Sequence, residues 1–179
     1  MPSSSGLFKE YLSEVFVETG SYVGDGVACA LEAGFNRVYS IELADKYYEH
    51  CVARFSGDQR VTIVKGDSGI MLYEATKDIN CKITFWLDGH HSCGDTALGC
   101  AWSPLMKELE LIGQHPIKEH TIIIDDMICW ERDNPVIGFG IKEIQEKIIS
   151  INSNYKFEYQ EGYWGDRYCE KYILIAKVV

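Results

Sequence analysis

Short apolar runs alternate with amphipathic segments along most of the chain. Five of these runs are rich in β-branched and aromatic residues, which predicts β-strands. They cover residues 15–18, 37–43, 61–65, 83–87 and 121–124. Each run is followed by a helical or turn segment, and strands separated in this way pair in parallel. The pattern therefore predicts a parallel sheet with helices on both faces.

The predicted helices lie between these strands and after the last of them. They cover residues 26–33, 44–55 and 68–75, a segment that Ser103-Pro104 opens, and residues 141–151. Gly34 follows the first of them, at the position where glycine commonly ends a helix. The last helix has four isoleucines at helical spacing, which predicts one buried face.

Two consecutive strands are predicted near the C-terminal end, at residues 155–160 and 172–178. The turn-rich residues 161–166 join them without room for a crossover helix, so the two strands are expected to form a hairpin. One of them then lies antiparallel in an otherwise parallel sheet. Because the sequence shows no repeat or linker, we expect residues 1–179 to form a single Rossmann-like α/β domain around a mostly parallel, seven-stranded sheet.

Charge and cysteine content argue against several classes of partner. The chain has 17 Lys and Arg against 27 Asp and Glu, which gives a net charge of −10. Nucleic acid and anionic membrane surfaces bind clustered cations, so neither is expected as the main partner. The seven cysteines form no CxxC pair, which is typical of reduced thiols, and the first residues do not resemble a signal peptide. We therefore expect a cytoplasmic protein.

Acidic residues follow almost every predicted strand. Ligands of open parallel sheets bind beyond the carboxyl ends of the strands, so these residues are the first candidates for a functional site. They are Glu18, Glu42, Asp67, Asp88, Asp125 and Asp126. So regular a placement of carboxylates is more than helix capping alone explains.

A glycine-rich loop connects the first predicted strand to the first predicted helix, with the pattern ExGxxxGxG from Glu18 to Gly26. Glycines let the main chain turn sharply and let a ligand approach it closely. The pattern differs from the GxGxxG of dinucleotide-binding loops. Glu18 and Asp25 would repel a phosphate here, so a cationic or zwitterionic ligand suits the loop better.

Two further strand ends have residues suited to binding a nucleoside. Glu42 closes the second strand, where an acid can accept hydrogen bonds from both ribose hydroxyls. Asp67 and Ser68 follow the third strand and could reach an adenine amino group. The alternative is that Glu42 and Asp67 only cap the helices that follow them.

The order of these features resembles the class I S-adenosylmethionine-dependent methyltransferases. The likeness extends from about Val15 to Val178 and includes the glycine loop, the acid after the second strand, Asp67-Ser68 and the terminal hairpin. It implies S-adenosylmethionine as cofactor, with the glycine loop against the methionine part, Glu42 on the ribose and Asp67 on the adenine. The cofactor-binding residues that it implies are Glu18, Gly20, Ser21, Gly24, Gly26, Glu42, Asp67, Ser68 and Asp88.

Three carboxylates and two histidines follow the fourth and fifth strands: Asp88, His90 and His91, then Asp125 and Asp126. Neighbouring strands are about 4.8 Å apart, so these side chains can converge. Carboxylates so close repel each other unless a cation lies among them. Oxygen ligands suit Mg²⁺ or Ca²⁺, and Mg²⁺ is favoured because it keeps waters that a substrate hydroxyl can displace. The alternative is a plain turn after each strand, with its acids in capping roles.

This cluster is similar to that of the metal-dependent O-methyltransferases of the catechol and macrocin types. The resemblance implies Asp88, Asp125 and Asp126 as metal ligands. His90 stands where the macrocin type has its general base, and a neutral imidazole can take a hydroxyl proton near pH 7. His90 and Asp88 are therefore the predicted catalytic residues, with His91 as an alternative base.

The function that the resemblance implies is Mg²⁺-dependent methylation of a hydroxyl on a small molecule or sugar. The alternatives are an NAD(P)-binding oxidoreductase with the same sheet, a non-catalytic nucleoside-binding domain and, third, a metal-dependent hydrolase. The chain lacks the long inserts that usually form an acceptor pocket. The pocket is therefore expected to be open, completed by a second copy in a homodimer, or suited to a bulky acceptor.

Overall fold

The computed structural model describes residues 4–90, 99, 101–130 and 137–179. Within these ranges, seven strands form one sheet in the order β3-β2-β1-β4-β5-β7-β6. The strands are β1 Val15–Thr19, β2 Arg37–Glu42, β3 Val61–Lys65, β4 Ile83–Leu87, β5 Thr121–Ile124, β6 Tyr155–Trp164 and β7 Arg167–Val178. Strands β1 to β5 are parallel, and β7 is antiparallel to both β5 and β6. The predicted sheet and its antiparallel ending are confirmed.

Helices cover both faces of the sheet. In the described part of the chain they are α1 Ser5–Glu10, α2 Asp25–Ala33, α3 Asp45–Arg54, α4 Ser68–Thr76, α5 Leu105–Gln114 and α6 Ile141–Ile151, with a 3₁₀ helix at Met127–Trp130. The sequence pattern predicts every α-helix except α1. The signal for α1 is the capping residue Ser4, whose Oγ accepts a hydrogen bond from Leu7 N–H at 3.1 Å.

Each face of the sheet buries its own hydrophobic cluster. On one face, Leu109 of α5 and Ile144 of α6 belong to the same cluster as Phe85 of β4. On the other face, Phe8 of α1 packs edge-on against Trp86 of β4, with the ring centroids 5.1 Å apart. All five side chains are at most 1% exposed, as expected for a strand that is covered on both sides. No helix in the described ranges has the length and apolar character needed to cross a membrane.

The C-terminal hairpin is longer than the sequence pattern predicts. The expectation that residues 161–166 form its connection is wrong, because β6 continues to Trp164 and β7 resumes at Arg167. Gly162 was the misleading turn signal. It pairs with Cys169 inside the hairpin, and a Cβ at Gly162 would lie 2.5 Å from the Tyr172 ring. This glycine therefore makes room for a neighbouring ring and does not end a strand.

The hairpin extends past the carboxyl end of β5. Ile124, the last residue of β5, pairs with Leu174 of β7. The preceding residues of β7 continue beyond that edge together with β6. Tyr172 therefore lies at the edge of the sheet where the predicted site residues follow β1 to β5.

Candidate active site

The loop after β1 packs directly on the turn after β4. Gly20 has a φ of +83° and donates its N–H to the Ile41 carbonyl at 2.9 Å. A Cβ at Gly20 would lie 2.6 Å from the Asp88 carbonyl oxygen, so no side chain fits there. The predicted cofactor loop and the predicted metal turn are therefore in main-chain contact.

Glu18, Ser21 and Gly26 lie in a buried layer beneath the glycine loop. Ser40 Oγ donates a hydrogen bond to Glu18 Oε2 at 2.5 Å and forms a second one with Ser21 Oγ at 2.6 Å. A Cβ at Gly26 would collide with the Glu18 carboxylate. Burial raises the pKa of Glu18 to about 8, and the charge of Glu42 acts in the same direction. Glu18 supports the loop from below, and its role in binding a cofactor stays a prediction.

Glu42 faces the glycine loop from the end of β2. Its Oε2 accepts a hydrogen bond from Tyr22 N–H at 2.9 Å, and its Oε1 accepts one from Ala44 N–H at 2.7 Å. Each carboxylate oxygen has a further lone pair, so these contacts orient Glu42 and leave it able to accept hydroxyl groups. Gly24 in the same loop has a φ of +85°, and a Cβ there would lie 2.6 Å from the Phe55 ring. The glycine at this position therefore serves the packing of the loop.

Asp67 and Ser68 begin α4 with two different contacts. The Asp67 carboxylate accepts a hydrogen bond from Gly69 N–H at 2.9 Å, so it caps the helix. Ser68 Oγ donates to Glu108 of α5 at 2.5 Å. Glu108 is 1% exposed, and burial raises its pKa to about 7. Glu108 is not among the predicted site residues, although an acid beside Leu109 on the apolar face of α5 is a signal of a buried polar contact.

An imidazole ring lies between two carboxylates where β4 and β5 end. His90 Nδ1 is 3.5 Å from Asp88 Oδ1, and His90 Nε2 is 3.3 Å from Asp126 Oδ2. One ligand atom from each of these three residues lies within 4.8 Å of the other two. A neutral imidazole has a single N–H, so its other ring nitrogen has no hydrogen to donate to the carboxylate that it faces. A proton or a metal ion between that nitrogen and the carboxylate would remove the repulsion between their lone pairs.

Asp125 lies beside this cluster and adds oxygen atoms that lack donors. Its Oδ1 accepts a hydrogen bond from Asp126 N–H at 2.8 Å, and the residue is 1% exposed. Among the described residues, neither Asp125 Oδ2 nor Asp126 Oδ1 has a hydrogen-bond partner, although both are buried. Burial, and then repulsion among the acids, raises the pKa of Asp88 and of Asp125. Asp126 also has a φ of +52°, which Asp tolerates better than most residues.

Aromatic side chains surround His90 and Asp126. The His90 ring centroid is 5.8 Å from that of Trp102 and 5.9 Å from that of Trp130. From β7, Tyr172 lies close enough to Asp126 for its hydroxyl to interact with that carboxylate; burial, and then this interaction, raise the pKa of Tyr172. Alternation within a strand does not show which loop a side chain will reach, so Tyr172 has no signal in the sequence. The alternative base His91 lies outside the described residues.

The donor set at this edge fits a divalent cation. Buried carboxylate oxygens without donors, and acids whose pKa values are raised by one another, are both relieved by a positive charge. The closest-packed donors are Asp88, His90 and Asp126, with Asp125 next to them. The carboxylates alone suit Mg²⁺ or Mn²⁺. A His90 ligand would favour Mn²⁺, because nitrogen is a less favourable ligand for Mg²⁺, and the ring nitrogen that bound the ion could not accept a proton.

The fold occurs in solved structures of methyltransferases. The O-methyltransferase TomG from Streptomyces achromogenes, solved in complex with SAM, is 12% identical to this chain with a TM-score of 0.71; the alignment covers 97% of this chain and 77% of that one. An O-methyltransferase from Bacillus cereus, in complex with SAH, is 13% identical with a TM-score of 0.71 and coverages of 98% and 78%. An rRNA methylase from Streptococcus thermophilus is 12% identical with a TM-score of 0.59 and coverages of 98% and 93%.

These likenesses establish the fold of the chain, which is that of the class I methyltransferases. No family model matches the sequence, and no curated protein matches it. The argument for a function therefore depends on the geometry at the carboxyl edge of the sheet.

Proposed function

We propose that this protein is an S-adenosylmethionine-dependent methyltransferase that methylates a hydroxyl group of a small molecule or sugar, with a divalent cation at its acidic cluster. The observation that carries the proposal is the contact of Gly20 with the Asp88 main chain, which joins the two halves of the site. One half has the Glu42 carboxylate directed at the glycine loop. The other half has His90 between Asp88 and Asp126.

The cofactor half provides binding and orientation. Glu42 would accept the ribose hydroxyls, and Asp67 would lie on the adenine side of the same ligand. S-adenosylmethionine supplies an electrophilic sulfonium methyl group when it is bound, so the protein has only to bring an oxygen nucleophile into line with it. The likeness in fold to SAM-bound and SAH-bound structures supports this assignment of the ligand.

The acidic half provides the proton acceptor. Asp88 and Asp126 would hold a cation whose Lewis acidity lowers the pKa of a substrate hydroxyl. His90 would take the hydroxyl proton at one ring nitrogen, while the carboxylate beside the other nitrogen fixes the ring orientation. Trp102 and Trp130 lie against His90 and keep water away from it, which strengthens these charge interactions.

Two other functions make less use of these contacts. An NAD(P)-binding oxidoreductase would share the sheet and Glu42, but it needs no acidic cluster with a histidine at its centre. A non-catalytic nucleoside-binding domain would also leave that cluster without a role. The net charge of −10 further favours a small acceptor over nucleic acid.

Calorimetric titration tests the cofactor half without any knowledge of the acceptor. We expect the protein to bind SAH and not NAD, and Glu42→Gln to weaken SAH binding by about tenfold, because a carboxylate is a stronger acceptor than an amide. Glu49→Gln, at an exposed position on α3, is the matched control and should leave SAH binding unchanged. Binding of NAD alone would favour the oxidoreductase instead.

A methyl-transfer assay tests the acidic half. Wild-type protein is incubated with methyl-labelled S-adenosylmethionine and a panel of catechols, phenols and sugars, with Mg²⁺, Mn²⁺ or a chelator. We expect transfer that the chelator abolishes and that His90→Ala reduces by about a hundredfold or more, the usual contribution of a general base. Transfer that is equal with and without the chelator would contradict the metal assignment.

A further inference from the structure

A buried glutamate connects the two halves of the site from below. Glu108 is on the face of α5 that otherwise packs into the core through Leu105 and Leu109. It is 1% exposed, and its carboxylate binds Ser68 after β3 and lies near Thr19 at the end of β1 and Gly89 after β4. An apolar residue would suit this helix face better, because burying a carboxylate costs free energy unless its partners compensate.

The first contact leads to the cofactor side. Ser68 Oγ donates to Glu108 Oε1 at 2.5 Å, which is the length of a strong hydrogen bond to a carboxylate. Ser68 follows the capping residue Asp67 and is the first residue of α4. The Glu108 carboxylate therefore also fixes the start of that helix. One residue further along, the aliphatic part of the Lys107 side chain packs on Gly69. A Cβ at Gly69 would lie 3.4 Å from it.

The second contact leads to the acidic cluster. The Thr19 hydroxyl at the end of β1 lies beside the Glu108 carboxylate: a Cβ at Gly89 would be 3.2 Å from Thr19 Oγ1 and 3.1 Å from Glu108 Oε1. Thr19 Oγ1 accepts a hydrogen bond from Asp88 N–H at 3.3 Å. The Thr19 hydroxyl therefore lies between the Glu108 carboxylate and the main chain of Asp88.

The third contact is with Gly89, between Asp88 and His90. A Cβ at Gly89 would lie 3.1 Å from Glu108 Oε1, 3.2 Å from Ser68 Oγ and 3.2 Å from Thr19 Oγ1. The main chain that carries Asp88 and His90 thus lies directly over the buried carboxylate.

We propose that Glu108 is a positioning residue, which sets the position of the Asp88–His90 turn relative to the start of α4 because its buried carboxylate binds the Ser68 hydroxyl and packs against Thr19 and Gly89. The inference deepens the function proposed above and rests on it. Glu108 touches neither the reacting atoms nor the cation, and it acts through Ser68, Thr19 and Gly89. Groups that orient metal ligands in this way typically contribute about 10-fold to 100-fold to metal affinity.

The test compares Glu108→Leu with Glu108→Gln and with the control Glu110→Gln, an exposed acid on the same helix that pairs with Lys107. SAH and Mn²⁺ affinities are measured by calorimetry on protein shown to be folded by near-UV circular dichroism, together with melting temperatures. We expect Glu108→Leu to lower both affinities by about tenfold or more without lowering the melting temperature. Glu108→Gln should recover most of both affinities, because its amide oxygen still accepts one hydroxyl. Glu110→Gln should change neither.

A purely structural role gives the opposite result: a lower melting temperature for Glu108→Leu with both affinities unchanged in the folded protein. That result overturns the inference and leaves the proposed function standing. If Glu108→Leu does not fold, Thr19→Val and Glu108→Gln decide the question. We then expect Thr19→Val to lower Mn²⁺ affinity, because it removes the hydroxyl that lies between the Glu108 carboxylate and Asp88 N–H, and Glu108→Gln to lower it less. Unchanged Mn²⁺ affinity for Thr19→Val contradicts the inference.

The wild-type titrations separate this inference from the function on which it rests. If wild-type protein binds Mn²⁺ but not SAH, the proposed function fails, and the Mn²⁺ affinities of the Glu108 variants still decide the positioning role. If it binds SAH but not Mn²⁺, the metal assignment fails, and the SAH affinities of the Glu108 variants still decide the positioning role. If it binds neither, both proposals are wrong.

Discussion

Two buried polar clusters lie at opposite ends of β4 and β5, and they differ in how well their hydrogen bonds are satisfied. At the amino ends of the strands, His120 Nδ1 accepts a hydrogen bond from Ile83 N–H at 3.1 Å, and His120 Nε2 is 2.9 Å from His115 Nδ1. His115 Nε2 is 3.0 Å from the Ile79 carbonyl oxygen. Both histidines are completely buried, and every ring nitrogen has a partner while both rings are neutral.

The cluster at the carboxyl ends has the opposite character. Asp125 and Asp126 each have a buried oxygen without a partner among the described residues, and Asp126 has a left-handed main chain. Such features cost stability, which the histidine pair does not. The comparison teaches that burial of polar groups does not by itself indicate function. Buried acceptors without partners among the described residues mark a place where a cation would relieve repulsion, and the predictions below test whether one binds there.

The sharpest way to test this contrast is to remove two acids from the carboxyl-end cluster. We expect Asp88→Asn combined with Asp126→Asn to lower Mn²⁺ affinity by about a thousandfold, or about 4 kcal/mol. The stability of the metal-free protein should not fall, because the repulsion that raises the pKa of Asp88 is removed and Asn tolerates the φ of residue 126. Calorimetry and urea unfolding measure the two quantities, and Asp166→Asn in the exposed hairpin turn is the control. A large loss of stability would show that the acids are structural.

The matching change at the amino ends should have the reverse effect. His120→Leu leaves the buried Ile83 N–H without an acceptor, and we expect it to lower the free energy of unfolding by about 3 kcal/mol. Mn²⁺ and SAH affinities should not change, since the site is at the other end of the strands. Urea unfolding and calorimetry check both statements, with His50→Leu on the exposed side of α3 as control. If ligand affinity falls as much as stability does, the two ends are not independent.

The buried groups at the two ends of the sheet also make the stability of the fold depend on pH in opposite directions. Burial raises the pKa of Glu18 from 4.5 to about 8, so the folded protein holds more protons than the unfolded chain between these values, and stability falls as the pH rises through that range. Burial lowers the pKa of His120 from 6.5 to about 3, so its contribution is lost as the pH falls below about 6.5. Glu18→Gln should therefore remove part of the loss of stability at alkaline pH. His120→Leu should remove part of the loss of stability at acid pH.

The size of the Glu18 effect follows from linkage. Between roughly pH 6 and pH 7.5, we expect the wild type to lose about 2 kcal/mol more stability than Glu18→Gln, at about 1.4 kcal/mol for each pH unit. Unfolding in urea at a series of pH values measures this difference. Parallel stability curves for the two proteins would mean that Glu18 is ionised in the folded state at neutral pH.

The smallest expected effect concerns the hairpin. A methyl group at Gly162 would push on the ring of Tyr172, a residue whose hydroxyl interacts with Asp126. We expect Gly162→Ala to cost about 1 kcal/mol of stability by overpacking and to lower Mn²⁺ affinity by about threefold, the smaller end of the effect of an indirect contact. Gly57→Ala has open space around its Cβ and serves as the control in both measurements. An unchanged Mn²⁺ affinity would show that Tyr172 does not help to orient Asp126.

The sequence predicts the sheet well because each strand is formed by a continuous run of apolar residues that is visible in the local sequence. The bounds of β4 and β5 agree with the structure residue for residue, since acids end both runs sharply. The candidate site is predicted in outline for the same reason, because Glu42 ends β2 while Asp88 and the pair Asp125-Asp126 follow β4 and β5. Glu108 and Tyr172 could not be placed with the same ease. Their partners come from other elements, and only the packing of α5 and β7 on the sheet brings them together.

The contact between Gly20 and the Asp88 carbonyl has a consequence for protein engineering. Because there is no space for even one methyl group between the two loops, neither can be lengthened or exchanged without displacing the other. Libraries directed at this site should therefore vary both loops together, or keep position 20 fixed and randomise residues away from this contact. The same crowding means that a chimera cannot combine the glycine loop of one homologue with the turn after β4 of another unless the two segments fit each other.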